Sequence, residues 1–264
     1  MKQRILKTRL CDLLGIEFPI VLAGMGSRGK ATPPALVAAV SEAGGLGVLG
    51  GAGLPAEELR AAIRKARTLT GKPIGVDLLL PASLAEAPPS RSAVRAELQK
   101  KFPEHVAFVR SLMQQHHLPD AKVAHDFVLS TSAAGGKNTP QEEQMQVVLE
   151  EDVQVFAAGL GDPSWMVPMA RKKGMKVMGL VGTVGNARRQ IKAGVDIVIA
   201  TGYEAGGHTG RIATFPLIPQ VVDAVSPVPV LAGDGIGDGR GVAAALSLGA
   251  VGGWVGTAFL VADE

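Results

Sequence analysis

A single histidine stands in a glycine-rich segment that directly follows a predicted strand. Residues 200–211 read Ala-Thr-Gly-Tyr-Glu-Ala-Gly-Gly-His-Thr-Gly-Arg, and the mostly apolar, β-branched residues 195–199 precede them as a buried strand. Glycines let the backbone come close to a bound molecule, and the imidazole of His208 changes its charge near neutral pH. These residue types favour proton-transfer chemistry at the end of a strand. A surface loop with a solvent-exposed histidine is the other interpretation of the same residues.

A second glycine-rich segment, residues 233–241, predicts a site for an anion. It joins the seventh predicted strand to a helix, so its N–H groups lie at a helix N-terminus, where negative charge is stabilised. Gly256 and Thr257 come at the end of the eighth predicted strand. Loops after the seventh and eighth strands frequently form the phosphate site of a (β/α)8 barrel. We therefore expect a phosphate group here, with tight turns alone as the alternative.

Other chemical motifs are absent or fail in context. Residues 24–29 and 45–50 both match the dinucleotide pattern G-x-G-x-x-G. That pattern also needs a helix that starts within it and an acidic residue after the next strand. Residues 30–34 delay the first helix and the second predicted strand ends in Gly-Gly-Ala, so we reject a Rossmann nicotinamide site. The sequence has no G-x-S-x-G, H-E-x-x-H, paired-cysteine or P-loop motif, and surface roles are expected for the other histidines, His105, His116, His117 and His125.

These segments need a scaffold that brings strand ends together, and the order of elements predicts one. Eight strand candidates alternate with helices, which is the pattern of an α/β protein whose parallel sheet closes into a (β/α)8 TIM barrel. The sequence ends just after the eighth strand, so we expect the final barrel helix to be missing. The predicted strands are 19–25, 46–49, 74–80, 153–157, 176–181, 196–199, 228–232 and 253–259, and the helices between them are 33–40, 56–70, 164–173, 186–192, 219–225 and 239–248.

Residues 81–152 interrupt the alternation after the third strand. A charged helix is predicted from just after residue 90 to about Gln115, and residues 130–140 are rich in Ser, Ala, Gly, Lys and Asn, which indicates a flexible segment. A connection of this length usually carries function or is disordered. We interpret 81–152 as a lid-like insertion over one mouth of the sheet, within a single domain that spans residues 1–264.

The amino-acid composition limits which binding partners and which cellular compartment we expect. The chain of 264 residues is 47% hydrophobic, which is sufficient for one large core. Its charge of +3 is scattered and only 4% of residues are aromatic, so no nucleic-acid partner is expected. The single cysteine, Cys11, cannot form an intramolecular disulfide and is expected to be a buried, inert thiol. Since no segment is long and apolar enough to span a membrane and Asp12 and Glu17 interrupt any signal core, we expect a soluble cytoplasmic protein.

Several motifs together resemble the nitronate monooxygenases, formerly called 2-nitropropane dioxygenases. The flavin enoyl-acyl-carrier-protein reductases are similar in the same motifs, so the resemblance defines fold and cofactor more closely than substrate. The segments that carry it are 19–25, 38–47, 194–196, 204–210, 232–241 and 255–259.

The resemblance implies FMN in a TIM barrel, with a small-molecule substrate and dioxygen as partners. His208 would be the catalytic base, taking a proton from the carbon next to the nitro group or holding the anionic nitronate. The flavin would accept electrons and dioxygen would reoxidise it. The implied cofactor residues are Gly206, Gly207, Gly233, Gly235, Gly256 and Thr257 at the phosphate, Ala23, Gly24 and Met25 against the isoalloxazine ring, and Asp77, Thr183 and Thr201 near the ring or ribityl chain.

Three positions depart from the family pattern. Asp77 often corresponds to Asn and Thr201 to Gln, so an amide donor is lost at each. Asp234 puts a carboxylate where Gly is usual, close to the expected phosphate, and like charges repel. Two alternatives to a nitronate monooxygenase therefore stay open. One is an NAD(P)H-dependent flavin enoyl-thioester reductase, for which the sequence offers no clear nicotinamide site; the other is a non-catalytic flavin- or phosphate-binding barrel. A homodimer is also left open.

Overall fold

The computed structural model describes residues 6–26, 30–80, 91–118, 140–208, 210–233 and 235–263. Within these residues eight parallel strands form one sheet, in the order β1-β8-β7-β6-β5-β4-β3-β2. The strands are β1 (Ile20–Leu22), β2 (Gly47–Gly50), β3 (Ile74–Leu80), β4 (Val155–Gly161), β5 (Lys176–Val181), β6 (Ile197–Ala200), β7 (Val230–Ala232) and β8 (Gly252–Val255).

The two ends of this sheet meet. A parallel bridge joins Val21 to Leu46. The N–H of Leu22 donates to the carbonyl of Leu46 at 2.9 Å, and the N–H of Leu46 donates to that of Ile20 at 3.0 Å. The sheet is therefore a closed (β/α)8 barrel, which confirms the predicted fold class.

Helices separate the strands along the chain. No helix of the described residues is long and apolar enough to cross a membrane. The helices are α1 (Arg9–Leu14), α2 (Pro34–Glu42), α3 (Ala56–Leu69), α4 (Arg91–Lys101), α5 (Pro103–Gln115), α6 (Pro140–Glu150), α7 (Val167–Lys172), α8 (Val184–Ala193), α9 (Thr214–Val225) and α10 (Gly239–Ser247), and a 3-10 helix, Thr257–Val261, follows β8.

The barrel interior is filled from its lower end, where the strands begin. Helix α1 contributes Leu10, Cys11 and Leu14, which pack against apolar side chains that point inward from the strands. Cys11 is free and buried, as expected. A second apolar layer lies between the outer faces of the strands and the surrounding helices. The strand side chains of the same interior cluster are Val21, Leu46, Val48, Val155, Ala157, Met178, Ile197, Ile199, Leu231 and Trp254.

Helix α6 belongs to the barrel rather than to the insertion. The amide of Gln144 donates to the carbonyls of Gly51 at 2.9 Å and Leu54 at 2.6 Å. The guanidinium of Arg60 on α3 pairs with Glu150 at 2.8 Å and Glu151 at 2.9 Å. These contacts make α6 the regular helix after β3, so the predicted insertion, 81–152, is too long at its C-terminal side.

Helices α4 and α5 form a separate compact unit. The prediction of one continuous helix to about Gln115 is wrong, because α4 ends at Lys101 and a second helix, α5, begins at Pro103. Proline has no N–H and fits the first position of a helix but not its interior. The flexible segment predicted at 130–140 lies outside the described residues except for its last residue, and the lid-like role of the insertion stays a prediction.

Two boundaries near the site also differ from prediction. Strand β8 ends at Val255 and a 3-10 helix begins at Thr257, whereas a strand was predicted to continue to residue 259. Helix α9 begins at Thr214, five residues before its predicted start at Pro219. The carboxylate of Glu204 accepts hydrogen bonds from the N–H of Thr214 at 3.0 Å and its hydroxyl at 2.8 Å. This tertiary cap starts the helix, and no local sequence pattern indicates it.

Candidate functional site

The inward-facing residues change character at the upper, carboxyl end of the barrel. Successive inward positions of a strand are two residues apart. Beyond the apolar interior described above, most of the next inward positions carry little side-chain volume, while Met25 and Leu180 are large and apolar. This end, here called the mouth, is therefore lined mainly by backbone, with these two apolar and two polar side chains. The small or polar positions are Gly50 on β2, Asp77 on β3, Gly159 on β4, Thr201 after β6, Gly233 after β7 and Gly256 after β8.

Asp77 is the acidic side chain of the mouth. The residue is half-buried, and its Oδ1 is buried without a hydrogen-bond partner in the described structure. Gly24 and Gly159 make room for it, since a Cβ at Gly24 would lie 2.4 Å from the Cβ of Asp77 and one at Gly159 would lie 3.0 Å from Oδ1. Burial raises the pKa of the carboxyl well above its ordinary value, because the charged form loses its hydration.

Thr201 presents the second unpartnered atom. Its side chain is buried, and its Oγ1 has no hydrogen-bond partner in the described part of the chain. A Cβ at Gly233 would lie 2.9 Å from that oxygen, so a larger residue would crowd it. Buried polar atoms without a partner are uncommon in folded proteins and often mark the place of a ligand or water.

The segment after β1, Ala23, Gly24 and Met25, is held against its neighbours by Thr32. The buried hydroxyl of Thr32 donates to the carbonyl of Met25 at 3.3 Å and accepts from the N–H of Gly50 at 2.8 Å. On the other side, the N–H of Ala23 donates to the carbonyl of Val255 at 2.8 Å. Thr32 was missed by the sequence analysis because it lies in a predicted loop and belongs to no motif.

The three loops of the expected phosphate site converge. A Cβ at Gly206, after β6, would lie 2.6 Å from Oγ1 of Thr257, after β8. Gly235, after β7, adopts a φ of 67°, and a Cβ there would lie 4.0 Å from the Cβ of Glu204. Gly207 has open space beside it. Asp234, the carboxylate that departs from the family pattern, lies outside the described residues.

The N-terminus of α10 is already capped by the chain itself. The carboxylate of Asp238 accepts from the N–H of Arg240 at 2.9 Å and pairs with its guanidinium at 2.6 Å. The side-chain hydrogen bond from Arg240 lowers the pKa of Asp238, so the carboxylate is charged at neutral pH. The negative charge of Asp238 thus already occupies part of the first turn of α10, which favours the preceding glycine loops as the place for an anion.

The loop that carries His208 is anchored at both ends. The N–H of Gly210 donates to the carbonyl of Gly202 at 3.0 Å, and Glu204 caps α9 as described. Burial raises the pKa of Glu204, but the hydrogen bonds from Thr214 outweigh it and the pKa lies below its ordinary value. His208 itself is exposed and its imidazole has no partner among the described residues.

Two further motif residues have structural roles. Thr183 accepts a hydrogen bond from the N–H of Asn186 at 3.1 Å and so caps α8, while its hydroxyl hydrogen stays available to another group. Asp196 lies at the opposite end of the barrel, where its carboxylate accepts from the N–H of Val177 at 2.9 Å. The described residues also contain no cluster of histidine, cysteine or acidic side chains fit for a metal ion.

A closed (β/α)8 barrel with glycines and unpartnered polar atoms at its mouth is the architecture of a protein that binds a ligand at that end. A family model described as nitronate monooxygenase matches residues 7–264. The chain belongs to this family, whose members are flavin oxidoreductases.

Relatives agree with that assignment. A Mycobacterium tuberculosis protein named as a monooxygenase is 41% identical over 265 residues, covering 98% of this chain and 68% of its own length. The solved nitroalkane oxidase of Streptomyces ansochromogenes is 31% identical, with a TM-score of 0.72 over 97% of this chain and 69% of its own. FabK from Thermotoga maritima is 34% identical, with a TM-score of 0.70 over 97% of this chain and 63% of its own. The chain thus spans about two thirds of the length of these relatives.

Proposed function

We propose that this chain binds FMN at the mouth of the barrel and uses it to oxidise alkyl nitronates and nitroalkanes with dioxygen. The observation that carries the proposal is a pair of buried atoms, Oδ1 of Asp77 and Oγ1 of Thr201, that have no hydrogen-bond partner among the described residues and lie at the glycine-lined end of a barrel of this family. A buried polar atom without a partner costs free energy that a bound ligand can recover.

The residues present fit FMN. Backbone N–H groups free of side chains suit a phosphate, and Gly206, Gly207, Gly233, Gly235, Gly256 and Thr257 would supply them. Ala23, Gly24 and Met25 would lie along the aromatic ring. Asp77, Thr183 and Thr201 would offer the polar contacts to the ring or the ribityl chain.

His208 would act on the substrate as a base. Its imidazole takes the proton from the carbon that bears the nitro group, and the resulting cation stabilises the negative charge of the nitronate. Glu204 and the Gly202–Gly210 hydrogen bond position the loop that carries the imidazole. When bound, FMN would supply the redox chemistry between the substrate and dioxygen.

The base assignment is tested with His208→Asn in the FMN-reconstituted protein. Removing the base should lower turnover of a neutral nitroalkane by about 10²- to 10⁴-fold, because proton transfer contributes about that much. Oxygen consumption measures the effect, and turnover of the preformed nitronate, which needs no deprotonation, should fall much less. His105→Asn, on the separate unit of α4 and α5, is the matched control and should behave as wild type. Full activity of His208→Asn on the neutral substrate would contradict the assignment.

An enoyl-thioester reductase is the second candidate, supported by the similarity to FabK. It predicts rapid anaerobic reduction of the flavin by NADH or NADPH and little response to nitronates. Mixing the reconstituted protein with each donor without oxygen, and following the loss of visible absorption, separates the two functions.

A further inference from the structure

We propose that Asp77 holds the flavin as a neutral carboxylic acid, donating a hydrogen bond to the cofactor through its own O–H. This inference rests on the proposed function, since it requires FMN at the mouth. Beyond the proposed function, we infer that Asp77 is protonated when FMN is bound and that it makes FMN binding depend on pH.

The position of the carboxyl carries the first part of the argument. Asp77 points from the middle of β3 toward the mouth, where Gly24 and Gly159 leave it space. Its Oδ1 is buried and has no hydrogen-bond partner in the described structure. A side chain built for internal support would be bonded within the protein, as the hydroxyl of Thr32 is. The carboxyl is therefore set up to meet a group that the chain itself does not provide.

The surroundings of the carboxyl carry the second part. No titratable side chain occurs in residues 20–26, in β2 or in β4, which are the segments in contact with this face of β3. Helices α2 and α6 cover the other face of the strand, together with their glutamates Glu42, Glu142, Glu143 and Glu150. Since these segments hold no cation among the described residues, burial acts on the group and raises its pKa well above the ordinary value, which favours the neutral acid.

The protonation state decides what the group can bind. A carboxylate only accepts hydrogen bonds, whereas the neutral acid has one O–H to donate. The isoalloxazine ring offers carbonyl oxygens and ring nitrogens as acceptors, and an O–H suits them where a carboxylate would repel them. Cofactor binding is then linked to one proton. Affinity for FMN is highest while Asp77 is protonated and falls as pH rises through the pKa of Asp77 in the free protein, by about tenfold per pH unit beyond it.

The test is a fluorescence titration of the flavin-free full chain with FMN at a series of pH values, comparing wild type with Asp77→Asn. Asparagine keeps a donor at every pH, so its affinity should lack the fall that wild type shows at high pH. The titrations of FMN itself are common to both proteins and cancel in the comparison. Asp223→Asn, the same change on an exposed residue of α9, should keep the wild-type profile.

Infrared spectroscopy provides a readout that does not depend on FMN. The wild-type protein should show the carbonyl band of a protonated carboxyl at neutral pH, and Asp77→Asn should lack it. If Asp77→Asn fails to fold, the wild-type protein alone is sufficient for the test. As pH rises, the carbonyl band of its free form and its affinity for FMN should both decrease around the same pH, the pKa of Asp77.

Separate outcomes identify what has failed. FMN affinity with the same pH profile in wild type and Asp77→Asn, or an absent band, overturns the inference alone. A chain that takes up no FMN at any pH overturns the proposed function and the inference together.

Discussion

At the lower end of the barrel α1 packs Leu10, Cys11 and Leu14 into the interior, whereas the mouth carries glycines and the unpartnered atoms of Asp77 and Thr201. The same eight strands lead to both ends, and the two ends differ in the residues that face the interior. Apolar burial at one end stabilises the fold. The mouth has less apolar burial, and its polar groups are available to bind a ligand. The two ends should therefore respond in opposite ways to mutation.

Leu10→Ala gives the largest expected effect and acts on the lower end. Leu10 is fully buried, and its loss leaves a cavity under the barrel. The free energy of unfolding should fall by about 2–5 kcal/mol, measured by denaturant unfolding, while the dissociation constant of FMN for the folded fraction stays unchanged. Leu69→Ala, at an exposed position on α3, is the control and should cost less than about 0.5 kcal/mol. If Leu10→Ala instead lost affinity for FMN without losing stability, the lower end of the barrel would also contribute to cofactor binding, which would contradict the assignment of separate roles to the two ends.

Gly24→Ala acts on the mouth and should affect stability and binding together. The new Cβ would lie 2.4 Å from the Cβ of Asp77 and 3.1 Å from the carbonyl oxygen of Leu49, so backbone or carboxyl must move. Overpacking of this kind costs about 1–3 kcal/mol, and FMN affinity should fall by at least about tenfold, equivalent to about 1.4 kcal/mol. Gly71→Ala, which meets nothing within 4 Å, is the control. Unchanged FMN affinity in Gly24→Ala would show that the segment after β1 does not contact the cofactor.

Thr201→Val should change stability and binding by the smallest amounts, and it separates a hydroxyl that serves a ligand from one that supports the fold. It removes a buried hydroxyl that has no hydrogen-bond partner in the described part of the chain, so the stability of the flavin-free protein should stay unchanged or rise by about 1 kcal/mol. FMN affinity should fall by about fivefold, since one hydrogen bond contributes about 1 kcal/mol.

Thr70→Val is the matched control for that change. The hydroxyl of Thr70 is also buried, but it donates to Glu42 at 2.5 Å and accepts from the N–H of Lys72 at 3.0 Å. Its loss should destabilise the protein by about 1–3 kcal/mol and leave FMN affinity unchanged. Destabilisation of the flavin-free protein by Thr201→Val would mean that its hydroxyl supports the fold rather than a ligand.

The sequence predicted the scaffold well where local signals agreed. β3 and β5 were predicted to the residue, because apolar residues run between clear Gly and Pro boundaries. The predicted eighth strand ran too far, since the apolar residues after Gly256 form a 3-10 helix. Helix α6 was assigned to the insertion because its place in the barrel depends on Gln144 and Arg60, which are tertiary contacts.

The candidate site was also predictable only in part, because it too depends on tertiary contacts. The resemblance indicated Asp77 and Thr201, but the isolation of their oxygens depends on Gly24, Gly159 and Gly233 from other strands. Thr32 carries no motif and its role depends on three hydrogen bonds across a folded turn. The catalytic role of His208 and the cofactor role of the glycines stay predictions.

The proposed activity and the role of Asp77 both require FMN at the mouth of the barrel. The most direct measurement is the visible absorption spectrum of the full chain after incubation with FMN and removal of unbound flavin by desalting. We expect a yellow protein with stoichiometric flavin in the wild type and a loss of bound flavin in Gly24→Ala. A colourless wild-type protein, or equal flavin in both, would contradict it.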